Sequence, residues 1–416
     1  MQKLDTDIAV VGAGIVGVSC ALSLQKAGLR VTLIDRQGIG EGCSRGNAGH
    51  FATEQVHPLA TPGLLWKIPG MLLDPLGPVA IRWSYLPHIT PWLIRFMLNT
   101  RKRPFDRGSQ ALQALNEASL PAWKRLLEGS GVENLIRVNG SLLTFEQDSS
   151  FYNYQASTLE SLRNHGVKAQ ILDGDQAREL EPGLSSTIRH AVLFPNTGHT
   201  ANPYQLAHSL GELFQQRGGQ VLLQPASEFK QIDDGVQLKL NGQPVQVPKI
   251  VLATGAWSKP MVRELTGRSI PLDTERGYHL MLPNSGASLS MPVTSAERRF
   301  IMTPMSEGLR LAGTVEFGGL DLPANMQRAA MLAFHAKAIL PGLDDSPGET
   351  WMGFRPSLPD SLPIIDQVGS RNQIVLALGH QHLGLTQAAL TGELVRKLVT
   401  NQPTGLDLTP FGLNRF

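Results

Sequence analysis

Cysteine and long apolar runs are the scarcest features of this 416-residue sequence. The two cysteines, Cys20 and Cys43, form no Cys-x-x-Cys pair, which argues against a disulfide scaffold or a zinc knuckle and fits a reducing compartment. No stretch of about 20 uninterrupted apolar residues exists, so the sequence predicts no simple membrane-spanning helix. The net charge is only +2 and no long basic run occurs, which excludes the usual electrostatic signature of a nucleic-acid-binding protein.

Metal-ligating residues are also not grouped in the sequence. No set of histidine, cysteine, aspartate and glutamate has the spacing of metal ligands, so we predict no metal site. Hydrophobic residues make up 42% of the chain and charged residues 17%, as is typical of a globular protein. The length predicts two or three domains, and the composition favours a cytoplasmic location.

What the sequence does contain is a dinucleotide-binding motif at its start. Ile8–Val11 predicts a buried strand, a helix is expected over residues 18–27, and a second strand over 31–34 ends at Asp35. The turn between the first strand and the helix consists of Gly12, Ala13, Gly14, Ile15, Val16 and Gly17. Its glycines permit a tight turn, a close approach of backbone to pyrophosphate and close helix packing. Asp35 is placed to accept hydrogen bonds from ribose hydroxyls.

Two further glycine-rich loops favour FAD over a nicotinamide cofactor. Loop 44–49 follows the second strand, and a strand at 374–378 leads into loop 379–386 and a helix at 387–399. A nicotinamide fold would not need chain from both ends. The acidic side chain of Asp35 argues against a nicotinamide cofactor that carries a 2′-phosphate on its ribose, because the two negative charges would repel. The neighbouring Arg36 weakens this argument. The expected cofactor contacts here are Arg36, Ser44, Asn47, Ala48, Gly49, His50, Gly379, His380, Leu383, Gly384, Leu385 and Thr386.

The central part of the chain adds another cofactor-like strand end. A strand at 250–253 runs into Thr254 and Gly255, small residues that suit the carboxyl edge of a nucleotide-binding sheet. Ala226 is also expected to contact the cofactor. We therefore expect a discontinuous FAD-binding domain of residues 1–57, 150–258 and 358–416. Residues 58–149 and 259–357 would form a substrate domain.

Several motifs give nearly the whole chain a resemblance to the D-amino acid oxidase-like flavoproteins, and within them to the bacterial D-amino acid dehydrogenases. They are residues 46–49, 251–258, 277–278, 311–316, 353–360 and 379–386, which occur in the family's order. The phrases at 354–363 and 379–386 are similar to a subgroup assigned to D-proline or hydroxy-D-proline.

The resemblance implies an α/β FAD-binding domain of glutathione-reductase type plus an α+β substrate domain with an antiparallel sheet over the re face of the flavin. It also implies noncovalent FAD, while the nearness of Cys43 to loop 44–49 keeps covalent attachment open.

Three side chains are expected to carry the chemistry on an amino acid. Arg355 matches the family's carboxylate-binding arginine, and a guanidinium fork suits both carboxylate oxygens. Tyr278 is expected to bind the same carboxylate or cover the site, and His382 to accept a proton from the substrate ammonium or contact a ring substituent. The alternatives are a structural ion pair, core packing and an ordinary loop position, respectively. Further candidates are Arg276, Glu54 and Glu316.

The expected reaction is oxidation of a D-amino acid or cyclic D-imino acid, such as D-proline or cis-4-hydroxy-D-proline, by hydride transfer from the α-carbon to flavin N5. No second dinucleotide motif is present for NAD, so we expect a quinone or another respiratory-chain acceptor. A glycine- or sarcosine-type oxidase that uses oxygen, and a flavin subunit of a heteromeric dehydrogenase, remain alternatives.

Segment 58–103 bears on where the electrons go. It combines proline, leucine, isoleucine and tryptophan with basic residues, which favours peripheral contact with the cytoplasmic face of the inner membrane. The alternatives are helices packed on the core and an oligomer contact. The sequence does not indicate an oligomeric state.

Overall fold

The computed structural model describes residues 2–64, 77–344 and 348–416, and the described residues form four β-sheets. The strands in chain order are β1 Gln2–Lys3, β2 Ile8–Val11, β3 Val31–Asp35, β4 His50–Phe51, β5 Val79–Ile81, β6 Ser141–Phe145, β7 Gln170–Asp173, β8 His190–Phe194, β9 Gly198–His199, β10 Gln220–Leu223, β11 Ala226–Ile232, β12 Gly235–Leu240, β13 Gln243–Val247, β14 Ile250–Leu252, β15 Asp273–Leu282, β16 Val293–Ser295, β17 Phe300–Met305, β18 Gly308–Phe317, β19 Glu349–Ser357, β20 Ile364–Val368 and β21 Ile374–Leu378. The α-helices are α1 Ile15–Lys26, α2 Leu86–Asn99, α3 Lys102–Leu127, α4 Asp148–Tyr154, α5 Glu160–Asn164, α6 Gly174–Leu180, α7 Pro203–Gln216, α8 Ser258–Thr266, α9 Gln327–Ile339 and α10 Gly384–Val399.

A six-stranded sheet joins the two ends of the chain to its centre. Its order is β10-β3-β2-β14-β21-β20, with every pair parallel except β20 and β21. All residues of β2, β14 and β21 are buried, as expected for parallel strands that are covered on both faces. Helices α1, α3, α7 and α10 pack on one face, and α8 and the small sheet β1-β13-β12-β11 pack on the other. This is the predicted α/β nucleotide-binding layer.

A nine-stranded sheet forms the second layer and is mostly antiparallel, as predicted. Its order is β19-β15-β18-β17-β16-β6-β8-β7, and β5 pairs with β18. Strands β7 and β8 belong to this sheet because β7 pairs with β8 and β8 pairs with β6. Strands β7 and β8 therefore lie outside the six-stranded sheet, although the predicted FAD-domain segment 150–258 includes them.

The described part of segment 58–103 contains strand β5, helix α2 and the start of helix α3. Residues 65–76, which include Trp66, lie outside the described residues. Helix α2 buries Ile89 and Trp92, and Trp92 contacts Phe317 of β18 at 5.4 Å between ring centroids. Among the described residues, no helix is both long and apolar enough to cross a membrane.

Candidate active site

A cavity of about 270 Å³ opens where β2, β3, β14 and β21 end at their carboxyl termini. This is the edge at which parallel α/β sheets bind their ligands. Many of the predicted cofactor residues line it, namely Gly12, Gly14, Ile15, Val16, Asp35, Arg36, Ser44, Asn47, Ala226, Thr254, Gly255, Gly379, His380, Gly384 and Leu385. The other predicted cofactor residues are not among its lining, namely Ala13, Gly17, Ala48, Gly49, His50, Leu383 and Thr386.

The glycine turn fits a dinucleotide because its backbone has no room for side chains. Gly12 has a φ of 102°, and a Cβ at that position would overlap the carbonyl oxygen of Ala253, which follows the neighbouring strand β14. A Cβ at Gly17 would overlap the carbonyl oxygen of Gly12. Gly17 therefore acts beneath the cavity, where it lets α1 approach β2, and α1 begins at Ile15 with its amino end towards the cavity.

Asp35 and Ser44 stabilise this turn as well as lining the cavity. Asp35 accepts a hydrogen bond from the Ala13 amide at 2.8 Å and further ones from the amides of Gln37 and Gly38. The Ser44 hydroxyl oxygen accepts from the Ile15 amide at 2.9 Å. Because that oxygen acts as the acceptor, the hydroxyl hydrogen remains available to donate to a phosphate. The donor set therefore fits the diphosphate of FAD.

The C-terminal loop is held by buried polar contacts. His380 is hydrogen-bonded through Nε2 to the Thr391 hydroxyl at 2.9 Å, and burial lowers its pKa to about 3, so the ring is neutral. The Thr386 hydroxyl accepts from the Ala52 amide, and Trp123 Nε1 donates to the carbonyl oxygens of Leu385 and Thr386. Thr386 thus connects two loops behind the cavity.

Arg355 lies in β19 between Phe354 and Pro356, both of which line the cavity. Its guanidinium covers Gly277 of the adjacent strand β15, where a Cβ would overlap it. Within the described chain, its only hydrogen bond is a 3.5 Å contact from Nη1 to the carbonyl oxygen of Thr314. A half-buried guanidinium with nearly all of its donors free can bind a carboxylate in the predicted manner.

Tyr278 follows Gly277 in β15, so its side chain lies on the face of the strand opposite to the one that Arg355 covers. Its hydroxyl donates to the buried carboxylate of Glu316 at 2.7 Å and accepts from the Asn325 amide at 3.2 Å. Arg276 shares that face, as predicted, but it is fully buried and bound to Glu316 rather than exposed. Side chains alternate along a strand, so Tyr278 cannot share the face on which Arg355 covers Gly277. Tyr278 belongs to a buried polar network, which matches the core alternative.

His382 and Gln55 form a polar pair beside Arg355. His382 Nε2 donates to Gln55 Oε1 at 2.6 Å. Burial, the charge of Arg355 and that of His50 lower the pKa of His382 to about 4, so its ring is neutral near pH 7. His50 is hydrogen-bonded to the carbonyl oxygen of Gly198 and to Glu54, both at 3.1 Å. Sequence reasoning placed His382 near the substrate but missed Gln55.

Cys43 also lines the cavity. Burial raises the pKa of its thiol, and the charge of Arg355 opposes this shift only in part. The thiol is therefore protonated at neutral pH, and noncovalent FAD stays the prediction.

Three residues of the nine-stranded sheet that sequence reasoning missed hold loop 46–49. His279 Nδ1 donates to the carbonyl oxygen of Gly46 at 2.9 Å, and Arg310 Nη1 donates to that of Asn47 at 2.6 Å. The Trp351 ring stacks on His279 with centroids 5.0 Å apart. The sequence held one signal for His279. It lies two residues after Gly277, which belongs to one of the family motifs, so the two residues share a face of the strand.

Comparison with known proteins assigns this site to a family. Residues 7–398 match the model of the DAO family, described as FAD dependent oxidoreductase. The chain belongs to this family. It is 35% identical to a protein named D-amino-acid oxidase from Bradyrhizobium diazoefficiens, with 98% of each chain covered. It is 27% identical to a D-amino acid dehydrogenase from Vibrio vulnificus, over 96% of this chain and 98% of that protein.

The fold agrees with this assignment. The structure of glycine oxidase from Geobacillus kaustophilus superposes with a TM-score of 0.74 and 22% identity, covering 99% of each chain. The predicted α/β FAD-binding domain with an antiparallel substrate domain is confirmed. The protein is a flavoprotein that binds FAD, and the cavity at the end of the six-stranded sheet has the glycine turn and the acid that this cofactor requires.

Proposed function

We propose that this flavoprotein oxidises the α-carbon–nitrogen bond of a D-amino acid or a cyclic D-imino acid. The observation that carries the proposal is Arg355, a half-buried cation with free donors beside the FAD cavity. Bound FAD supplies the hydride acceptor for this chemistry. The preference for the D-enantiomer is supported by the names of the relatives from Bradyrhizobium diazoefficiens and Vibrio vulnificus.

Arg355 would bind the substrate carboxylate through two parallel N–H···O bonds. Its seat on Gly277 keeps the guanidinium flat against β15, so little side-chain entropy remains to be lost on binding. Arg355 lies close enough to Cys43, which lines the cavity, for its charge to act on that thiol, so a substrate bound by Arg355 would lie beside the cavity.

His382 would contact the substrate amine as a hydrogen-bond acceptor. Nε2 donates to Gln55, so in the neutral ring Nδ1 carries the free lone pair. With a pKa of about 4, His382 is too weak a base to take a proton from an ammonium group at neutral pH. We therefore propose that it orients the uncharged amine, in place of the proton-accepting role expected from the sequence.

A panel of D- and L-amino acids, together with D-proline and cis-4-hydroxy-D-proline, tests the proposal when an artificial dye serves as electron acceptor. We expect reduction of the dye by D-enantiomers and imine or 2-oxo acid as product. Reduction by L-amino acids alone would contradict the stereochemical part. No reduction by any amino or imino acid would contradict the whole.

A quinone is the acceptor that we propose, with oxygen as the second candidate. The relative from Bradyrhizobium diazoefficiens is named as an oxidase and that from Vibrio vulnificus as a dehydrogenase, so the two names favour different acceptors. Oxygen uptake with one peroxide per substrate would favour the oxidase. Dye reduction by the isolated chain without oxygen uptake would favour the dehydrogenase, and it would exclude a dependence on partner subunits.

A lipid surface is the partner that we propose for the outer face of α2. Ile94, Met97 and Leu98 share this face at 49%, 39% and 48% exposure, and Trp83 just before the helix is 80% exposed. Residues 77–116 contain six lysines and arginines but a single acid, Asp106. Exposed apolar side chains among basic ones suit an anionic bilayer, in which a quinone would also dissolve.

Flotation with vesicles tests this contact. The protein should float with vesicles that contain phosphatidylglycerol, and less with vesicles of phosphatidylcholine alone. A variant with Ile94→Ser and Leu98→Ser should stay at the bottom of the gradient. Equal flotation of this variant and the parent, or none of the parent, would contradict the contact.

A further inference from the structure

Loop 46–49 lies between the cofactor cavity and the nine-stranded sheet. Asn47 lines the cavity, yet its carbonyl oxygen accepts from Arg310 of β18 at 2.6 Å. The carbonyl oxygen of Gly46 accepts from His279 of β15 at 2.9 Å. Two adjacent strands of the substrate sheet thus hold two consecutive carbonyl groups of a cofactor loop.

The Trp351 indole fixes the plane of the His279 ring. The two rings stack at 5.0 Å with 17° between their planes. The indole covers both Gly46 and Gly353, where a Cβ would overlap its carbon atoms. Since the Gly46 carbonyl oxygen can only accept, Nδ1 of His279 carries the hydrogen. Burial and the charge of Arg310 lower the pKa of His279 to about 4, so the ring stays neutral in this role.

Arg310 is a buried cation with little to balance it. It is 8% exposed, its Nε atom has no partner in the described part of the chain, and its acceptor there is the Asn47 carbonyl. Burial lowers the pKa of Arg310 to about 10, so the guanidinium is still charged at neutral pH. The nearby carboxylate of Glu307 raises the pKa of Arg310, but burial outweighs it. Burying a cation is costly, so its presence here calls for a compensating function.

We propose that His279, Arg310 and Trp351 are positioning residues that fix loop 46–49 against the bound flavin. In a trans peptide the N–H points opposite to the carbonyl. Holding the Asn47 carbonyl against the sheet therefore directs the Ala48 N–H away from the sheet. The buried positive charge of Arg310 behind the loop also favours addition of electrons to the cofactor. This inference deepens the proposed function, but it needs only the bound FAD and not the amino-acid substrate.

The experiment compares His279→Phe and Arg310→Met with the parental holoenzyme. His279→Phe keeps a ring stacked on Trp351 and removes the donor. Loss of a hydrogen bond to or from a charged or buried group is expected to raise the dissociation constant of FAD by roughly tenfold or more. We also expect a shifted flavin absorption spectrum in both variants and a lower flavin reduction potential in Arg310→Met. With FAD in excess, kcat should fall while KM stays near the parental value.

Conservative variants and a matched control separate positioning from folding. His279→Asn restores a donor at the Nδ1 position and should recover FAD affinity and spectrum. Arg298→Met removes a partly buried arginine in the turn between β16 and β17, one paired with Glu146, and should leave both unchanged. If Arg310→Met does not fold, Arg310→Lys replaces it and should give an intermediate FAD affinity. Parental FAD affinity, spectrum and potential in these variants, or the same losses in Arg298→Met, would overturn the inference.

Discussion

Two arginines on paired strands, Arg276 and Arg355, occupy opposite kinds of surroundings. Arg276 is fully buried and makes five hydrogen bonds, to Glu316 and to the carbonyl oxygens of Gly318, Gly319, Leu322 and Pro323. Arg355 is half-buried, and among the described residues it makes one hydrogen bond, of 3.5 Å. A guanidinium has five N–H donors. The fold therefore uses all the donors of Arg276, while among the described residues it uses one donor of Arg355. The difference assigns a structural role to the first and a binding role to the second.

A bulge in β18 lies beside Arg355. Gly277 pairs with Val315 and Tyr278 pairs with Gly313, which leaves Thr314 without a partner at a φ of 55°. This strained residue supplies the carbonyl oxygen that faces Arg355. Strained backbone persists where the surrounding structure enforces it, often beside a binding site.

The largest effect that the comparison predicts is on stability. Arg276→Leu should lower the free energy of unfolding by about 3–5 kcal/mol, because the buried Glu316 carboxylate loses its hydrogen-bonded cation and keeps the Tyr278 hydroxyl and the more distant Arg82 at 3.8 Å. Urea denaturation measures this loss. Arg189→Leu, which breaks a surface pair with Asp148, should cost little. Similar losses for the two variants would mean that the buried network is not structural.

The next effect is on substrate binding. Gly277→Ala puts a methyl group where the Arg355 guanidinium lies, so KM should rise about tenfold to a hundredfold, as for loss of a charge-assisted pair. Steady-state kinetics with the best amino acid of the panel measures it, and FAD content should not change. The control is Gly342→Ala, where a Cβ meets no atom of the described residues within 4 Å. An unchanged KM in Gly277→Ala would contradict the claim that Arg355 must lie over Gly277 to bind the substrate.

The smallest effect concerns mild acid. His279 and His380 are buried and neutral, with pKa values of about 4 and 3, below the ordinary 6.5. The unfolded chain therefore binds more protons below pH 6.5, and stability is lost as the pH falls from there. At pH 5.5 each histidine should cost about 1 kcal/mol.

Both histidines lie on the cofactor side, whereas no histidine bonds to the described Arg276 network. As the pH is lowered, FAD should therefore dissociate before the fold is lost. The rise in flavin fluorescence should occur at a higher pH than the loss of the far-ultraviolet circular dichroism signal. Simultaneous changes in the two signals would contradict this order.

The sequence predicted the cofactor cavity better than the substrate face, for a physical reason. The glycine turn, Asp35 and the C-terminal loop are each local, and the backbone of parallel strand ends brings them together. Helices α1 and α10 begin three residues before the predicted starts, because those residues were assigned to the glycine turn and to loop 379–386. The substrate face depends on the pairing of β15 with β19, about 75 residues apart in the chain.

Tyr278 shows where this limit lies. Its residue type suited a carboxylate contact, but the choice between the two faces of β15 was fixed by Arg355 covering Gly277 and by Glu316 arriving from β18. His279, Arg310 and Trp351 were missed for the same reason, since each contacts a loop more than 230 residues away. The prediction of a D-proline subgroup also depends on side chains at this face and stays a prediction.

Anaerobic titration of the flavin absorbance with a D-amino acid tests the central claim most directly. The account predicts that the parental protein is bleached by the D-enantiomer. Arg355→Ala should keep its yellow FAD but need about tenfold to a hundredfold more substrate for half bleaching. Bleaching of Arg355→Ala and the parent at the same substrate concentration would contradict the account.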